Sequence, residues 1–400
     1  MSPPNAFPKI AYGLLVGAAF LLLFQELGVA FEANFGTDFN QDIPEFVEGA
    51  LGSTYFYDSG LREPFHVFCL KIGLGIVENQ EQAVRLVTVA QSLFCAFGLW
   101  FFARVFFGST VALLSLWLLA INPVLIFYGV SGMRAPIYTG LLLTFLGALG
   151  WEGSRQTTKI WGAIGVGVMG GLLVLTRRYA LAIVVGTLIL NGLGLYFWNK
   201  ERLRAWTKKA AMMMGTALLL LLPDVVLHET PAFRDNINFF RNLEFHGHAG
   251  AFRESPPVSF FHYVFVDHSL SEVVTIVGTN IMNFPQDYLG YFFRGYGFAW
   301  VLVWVATLLA AFHLRFFLAT AVAWLSLAPI VFVLHLDQVP FGKGVENRLV
   351  LQTFALFLPV VVATVFHLFG LALYKILGDH ERLGPMINDW IERLDIKTLR

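Results

Sequence analysis

Apolar runs of about twenty residues recur from one end of the sequence to the other, and they leave few folds open. They fall at 11–30, 83–106, 110–130, 135–151, 161–176, 179–198, 210–227, 288–312, 316–336 and 349–373. About 20 apolar residues in an α-helix cross the roughly 30 Å hydrocarbon core of a bilayer. In lipid every backbone N–H and C=O must be paired internally, which a helix does within its own length. The expected fold class is therefore an all-α polytopic membrane protein with about ten transmembrane helices. Composition agrees, since 57% of the 400 residues are hydrophobic and only 14% are charged, far from a soluble domain. The formal net charge of zero gives no support to a nucleic-acid partner. Cys69 and Cys95 both lie in apolar stretches, which argues against a disulfide framework or a thiolate metal site.

Basic residues orient the runs. Lys200, Arg202, Arg204, Lys208 and Lys209 cluster in one short connection, Arg155 and Lys159 mark another, Arg104 and Arg315 two more, and Lys375, Arg382, Arg393, Lys397 and Arg400 fill the tail. With these on the cytoplasmic side, both termini are cytoplasmic and the connections alternate, provided that 65–77 does not cross. That stretch, FHVFCLKIGLGIV, is short for a span and reads as a helix at the outer interface. The division expected is a transmembrane domain over 1–374, with outer loops 31–82 and 228–287, and a cytoplasmic amphipathic tail over 375–400. Met386, Ile387, Trp390, Ile391 and Leu394 fall on one helical face of that tail.

Two polar stretches interrupt the hydrocarbon. Residues 31–64 hold four Glu, three Asp and one Arg, so they face water or a polar cavity. Asp38 and Asp42 are four apart, on one face of a helix, and a carboxylate at a membrane surface can act as general base. Asp58, Glu63, Glu45 and Glu48 are further candidates, and Pro44 offers Asp38 a helix-capping role instead. The second loop carries Arg234, Arg241, Arg253 and four histidines, His246, His248, His262 and His268. With Asp267 these are chemically adequate metal ligands, but their spacing fits no zinc pattern, so no metal site is assigned. His335 and Asp337 near an outer helix end pair with each other or touch substrate.

Six arginines break the positive-inside trend. Arg62, Arg134, Arg177, Arg178, Arg294 and Arg348 fall at the outer ends of runs, where Arg has no topological reason to collect. Each alone can snorkel to lipid or pair with a loop acid. Arg134, Arg177, Arg178 and Arg348 together read as a site for an anionic head group such as phosphate.

Four motifs carry a family resemblance. Residues 55–65 read YFYDSGLREPF, with Arg62, Glu63 and Pro64 closing the acidic loop; Ala120–Pro136 reads AINPVLIFYGVSGMRAP; 170–177 reads GGLLVLTR; and 346–351 reads ENRLVL. In this order the set resembles the glycosyltransferase C superfamily, and most closely its aminoarabinose and protein O-mannosyl transferase branch. The resemblance implies an integral membrane glycosyltransferase. Its donor would be a sugar on a polyprenyl phosphate, attacked with inversion at the outer face, with an outer-loop Asp as base. Carried over, Asp38 and then Asp42 would be the base. Arg134, Arg177 and Arg348 would hold phosphate, with Arg62 and Arg178 beside them and Glu63, Asp58, Glu346 and His335 as secondary residues. The partners implied are the lipid-linked sugar, membrane lipids, and an acceptor that is a glycan, a lipid or a protein. A divalent cation is left open as a cofactor. The acid that often follows the Arg-Pro pattern is absent after Pro136, and Arg178 replaces the Pro after Thr-Arg. Two other readings stay open: a non-catalytic subunit of a membrane assembly, and a lipid-linked-sugar transporter or flippase. The second predicts two related halves with broken helices, and no internal repeat is visible.

Overall fold

The computed structural model describes residues 6–36, 42–53, 56–57, 64–154, 160–198, 200–228, 260–284, 300–310, 314–327 and 351–377. All regular structure among them is helical. The helices are α1 (Ala6–Asn34), α2 (Asp42–Gly52), α3 (Pro64–Ile76), α4 (Gln80–Phe107), α5 (Ser109–Ala120), α6 (Pro123–Val130), α7 (Ala135–Ser154), α8 (Ile160–Thr176), α9 (Ala180–Trp198), α10 (Lys200–His228), α11 (Phe260–Phe265), α12 (Leu270–Phe284), α13 (Val301–Leu309), α14 (Leu314–Leu325) and α15 (Leu351–Leu377). Among the described residues, five helices are long and apolar enough to cross a membrane: those covering Ile10–Asn34, Gln80–Phe107, Ala180–Phe197, Lys200–Val226 and Leu351–Gly370. The bent pair α5 and α6 makes a sixth. The expected count of about ten is not reached there. Helix α8 has 17 residues, and the runs expected at 288–312 and 316–336 extend beyond the described residues. The tail past residue 377, with its expected amphipathic helix, also lies outside them.

The run at 110–130 is broken rather than straight. Its halves meet at 64°, because Asn122 stops one helix and starts the next. The Asn122 side-chain Oδ1 accepts from the N–H of Val124 (3.0 Å) and of Leu125 (3.1 Å), and Pro123 takes the first helical position. Asn122 is fully buried, so the cap is the only way its amide is satisfied away from water.

Helices α4 and α7 form the centre, close because glycines line their contact. A Cβ on Gly140 would lie 3.0 Å from both Cα and N of Cys95, and one on Gly98 would lie 2.7 Å from the Gly140 carbonyl oxygen. Helices α8 and α10 are packed through Gly167 and Gly171 in the same manner. By contrast α1, α9 and α10 turn rows of Leu, Val, Ile and Phe outward, as lipid-facing helices do.

The two ends of the bundle differ. At one end the Tyr12 hydroxyl donates to the Ser109 carbonyl (3.2 Å), Trp100 Nε1 donates to Tyr12, and Arg104 lies over both rings. Lys209 and Glu152, both buried, pair at 3.1 Å on the same side. At the other end meet the C-termini of α1, α6, α8 and α10 and the N-termini of α4, α7 and α9. Glu81 Oε1 there accepts from the Gly36 N–H (2.8 Å) and pairs with Arg85 Nε (2.8 Å), whose Nη1 donates to the Val130 carbonyl (2.9 Å). Helix α3 is 13 residues, about 20 Å long, too short to cross.

Candidate active site

The acidic loop contains a helix of its own. Pro64 opens α3 and α2 packs across it, joined by a small core of Ile43, Phe46, Ala50, Val67, Leu70, Val84 and Met133. Lys71 of α3 donates to the Ser53 carbonyl at the end of α2, the side on which a helix terminus favours a cation. The loop is thereby fixed to the bundle. Asp42 is the first residue of α2, and Phe46 stands one turn later on the same face.

Phe46 leads to the cations. Its ring meets His66 edge-on at 5.0 Å, and Arg134 Cζ lies 5.5 Å from its centroid. Arg134 reaches this place because the chain turns sharply at Gly132, whose φ is +77°. A Cβ there would be 2.8 Å from Val84 Cγ1 and 2.9 Å from Ile43 Cδ1, so only glycine passes between α2 and α4.

Arg177 comes from the turn between α8 and α9. The guanidinium is 2% exposed, set 5.0 Å from the Tyr138 ring and 5.6 Å from the Tyr179 ring. Its Nη1 donates to the Tyr179 hydroxyl at 2.6 Å. Two aromatic faces and a hydroxyl hold a desolvated cation in one orientation. Arg134 and Arg177 both act on His66, which is wholly buried. Burial first, then the Arg134 charge, lowers its pKa to about 3; the Gly132 carbonyl pulls the other way, and Arg177 adds to the lowering. His66 is neutral beside two cations. Its Nδ1 lies 3.3 Å from Gln91 Nε2.

Arg178 is engaged differently. Its Nε lies 3.6 Å from Asp224 Oδ2, and both side chains are largely buried. Asp224 follows Pro223 within α10. Tyr57 from the acidic loop donates to the Leu220 carbonyl at 2.8 Å. Burial first, and then the Asp224 charge, raise the Tyr57 pKa. This corner ties the loop, the α8–α9 turn and the end of α10 together.

Comparisons agree with this arrangement. Residues 62–227 match the family described as dolichyl-phosphate-mannose-protein mannosyltransferase. No curated protein matches the sequence. In fold the chain is similar to the archaeal oligosaccharyltransferase AglB from Archaeoglobus fulgidus in complex with an inhibitory peptide and a dolichol-phosphate. The TM-score is 0.59 at 13% identity, over 93% of this chain and 52% of that one. It is also similar to the Archaeoglobus fulgidus oligosaccharyltransferase in complex with Zn and sulfate, with a TM-score of 0.56 at 14% identity, over 95% of this chain and 51% of that one. The chain belongs to the glycosyltransferase C superfamily. It spans about half the length of these oligosaccharyltransferase structures. A further match is ArnT from Cupriavidus metallidurans in the apo state, with a TM-score of 0.41 at 16% identity, over 91% of this chain and 78% of that one.

Of the residues that the sequence singles out, Arg134 and Arg177 come together around His66, Arg178 stands next to Arg177 with Asp224, and Asp42 opens the helix that carries Phe46. Asp38, Asp58, Arg62, Glu63, Arg294, His335, Glu346 and Arg348 lie outside the described residues, as do His246 and His248. His262 pairs with Asp267 at 3.3 Å, and His268 Nδ1 donates to the Tyr263 carbonyl at 2.7 Å. No three His, Cys, Asp or Glu among the described residues gather as metal ligands. These residues do not fit a divalent ion, and no step below runs through one.

Sequence reasoning passes over His66, Gln91, Tyr138, Tyr179, Asp224 and Arg85. Most sit singly inside apolar runs, where one polar residue reads as incidental. A costly polar group in such a run is itself the available signal.

Proposed function

We propose that this protein transfers a sugar from a polyprenyl-phosphate donor to an acceptor at the outer face of a membrane. The observation that carries the reading is the convergence of Arg134 and Arg177, from separate helix ends, on one buried neutral histidine beside the acidic loop's helix. The acceptor hydroxyl or amine attacks the anomeric carbon opposite the leaving group, so the configuration inverts. The bond from that carbon to the phosphate oxygen breaks, and the acceptor's proton passes to a carboxylate, Asp38 first and Asp42 second. The leaving phosphate gains one unit of negative charge as it departs. Fixed guanidinium groups at a low-dielectric boundary stabilise that charge more in the transition state than in the bound donor. Arg134, Arg177 and Arg348 hold the phosphate, with Arg62 and Arg178 beside them, and Glu63, Asp58, Glu346 and His335 complete the surroundings. A divalent ion bound by loop acids would be an addition to this site.

Residues 1–374 form the glycosyltransferase C-like membrane domain in this reading, and 375–400 a cytoplasmic tail. Both termini face the cytoplasm, in a bacterial inner membrane. The test uses the purified full chain, a radiolabelled polyprenyl-phosphate sugar and a panel of glycan, lipid and peptide acceptors. Transfer is expected, and Asp38→Asn or Asp42→Asn should abolish it. Unchanged rates in both variants would remove the assigned mechanism.

A further inference from the structure

The buried pair His66–Gln91 is more specific than a packing contact. An amide Nε2 only donates, so its contact with His66 Nδ1 at 3.3 Å makes Nδ1 the acceptor. The ring proton is then on Nε2. That atom is buried and has no hydrogen-bond partner among the described residues, although the ring is 0% exposed. A buried donor left unmet costs stability unless something else completes it. The groups nearest in charge are two cations: Arg134, which shares the Phe46 ring with His66, and Arg177. No cation can accept from Nε2–H, but an anion drawn in by both arginines can.

We propose that His66 is a phosphate ligand: its Nε2–H donates to a non-bridging oxygen of the donor's phosphate, and Gln91 is the positioning residue that keeps the proton on that nitrogen. The assignment rests on the lipid-phosphate reading above. A neutral donor between two guanidiniums adds direction without adding charge. It discriminates a tetrahedral phosphate oxygen from a plain hydroxyl head group.

The experiment measures binding of farnesyl phosphate and of farnesol to the detergent-solubilised full chain. His66→Phe is expected to weaken farnesyl phosphate by about tenfold or more and to leave farnesol unchanged. His66→Gln, which restores an N–H near the same place, should stay within about threefold of the original. Gln91→Leu should behave like His66→Phe, because Nδ1 then competes for the proton; a role in packing alone gives no such pattern. Should His66→Phe not fold, Gln91→Leu and a ¹⁵N-histidine tautomer measurement carry the test. Unchanged farnesyl phosphate affinity in His66→Phe or Gln91→Leu, or a proton found on Nδ1, overturns the assignment. Arg134→Gln and Arg177→Gln separate the two claims. If they weaken binding while the His66 and Gln91 variants do not, the phosphate site stands and His66 is no part of it. If none of the four matters, the lipid-phosphate reading falls as well.

Discussion

Replacing Arg177 is the sharpest perturbation of the chemistry, because its surroundings fix what is lost. The guanidinium is held by rings at 5.0 and 5.6 Å and by the Tyr179 hydroxyl. Arg177→Gln keeps a polar side chain but removes the charge. During transfer the leaving phosphate gains about one unit of charge, and a fixed cation about 4 Å away contributes about 4 kcal/mol at an effective dielectric near 20. Loss of that contribution corresponds to a kcat lower by about three orders of magnitude. Arg177→Lys keeps the charge but gives up the planar fork stacked on Tyr138, so a smaller loss, about ten- to hundredfold, is expected. The assay is steady-state transfer from a polyprenyl-phosphate sugar, with kcat and KM resolved and folding checked by gel filtration. Arg178→Gln is the comparison: its charge already faces Asp224 at 3.6 Å, so it should cost less than Arg177→Gln. An Arg177→Gln protein within threefold of the original rate, and well folded, would refute the reasoning.

Three further outcomes concern the scaffold. His66 has a pKa of about 3 in the fold against about 6.5 unfolded, so the unfolded chain takes up a proton that the fold refuses. Stability is full above pH 6.5 and declines as pH falls toward 3, by about 1.4 kcal/mol between pH 7.5 and 5.5; thermal unfolding in detergent should show this slope, and His66→Gln should flatten it. Lys209→Met breaks the buried pair with Glu152 at 3.1 Å and should cost about 3–5 kcal/mol, with the double variant Lys209→Met/Glu152→Met recovering most of it. Gly140→Leu drives a side chain into the Cys95 backbone, 3.0 Å from the added Cβ, and should lower the unfolding midpoint more than Gly153→Leu, where nothing lies within 4 Å.

The membrane fold was legible because hydrophobic run length is a local property, and the helices α1, α4 and α9 fall on runs that any twenty-residue window finds. The bend at Asn122 was not, although Asn-Pro is a turn signal, since the run around it is apolar enough to hide the break. Helix α2 was hidden for the opposite reason: charge in the acidic loop masks the Ile43, Phe46 and Ala50 stripe that packs on α3. Within the site, Arg134 and Arg177 stood out because arginine at an outer helix end has no topological motive. His66 and Gln91 belong to separate apolar helices, and only tertiary packing brings the amide to the ring. Nor does sequence order show that Arg178 turns toward Asp224 while its neighbour Arg177 turns between two tyrosines.

The most direct measurement is an experimental map of the full chain with a polyprenyl phosphate bound. The phosphorus atom is expected within about 4 Å of guanidinium nitrogens from both Arg134 and Arg177, at the bundle end that carries α2, with the Asp38 or Asp42 carboxylate facing it across a sugar-sized gap. A phosphate bound at the opposite end, near Arg104 and Lys209, or a bound lipid that leaves both arginines untouched, would contradict the account.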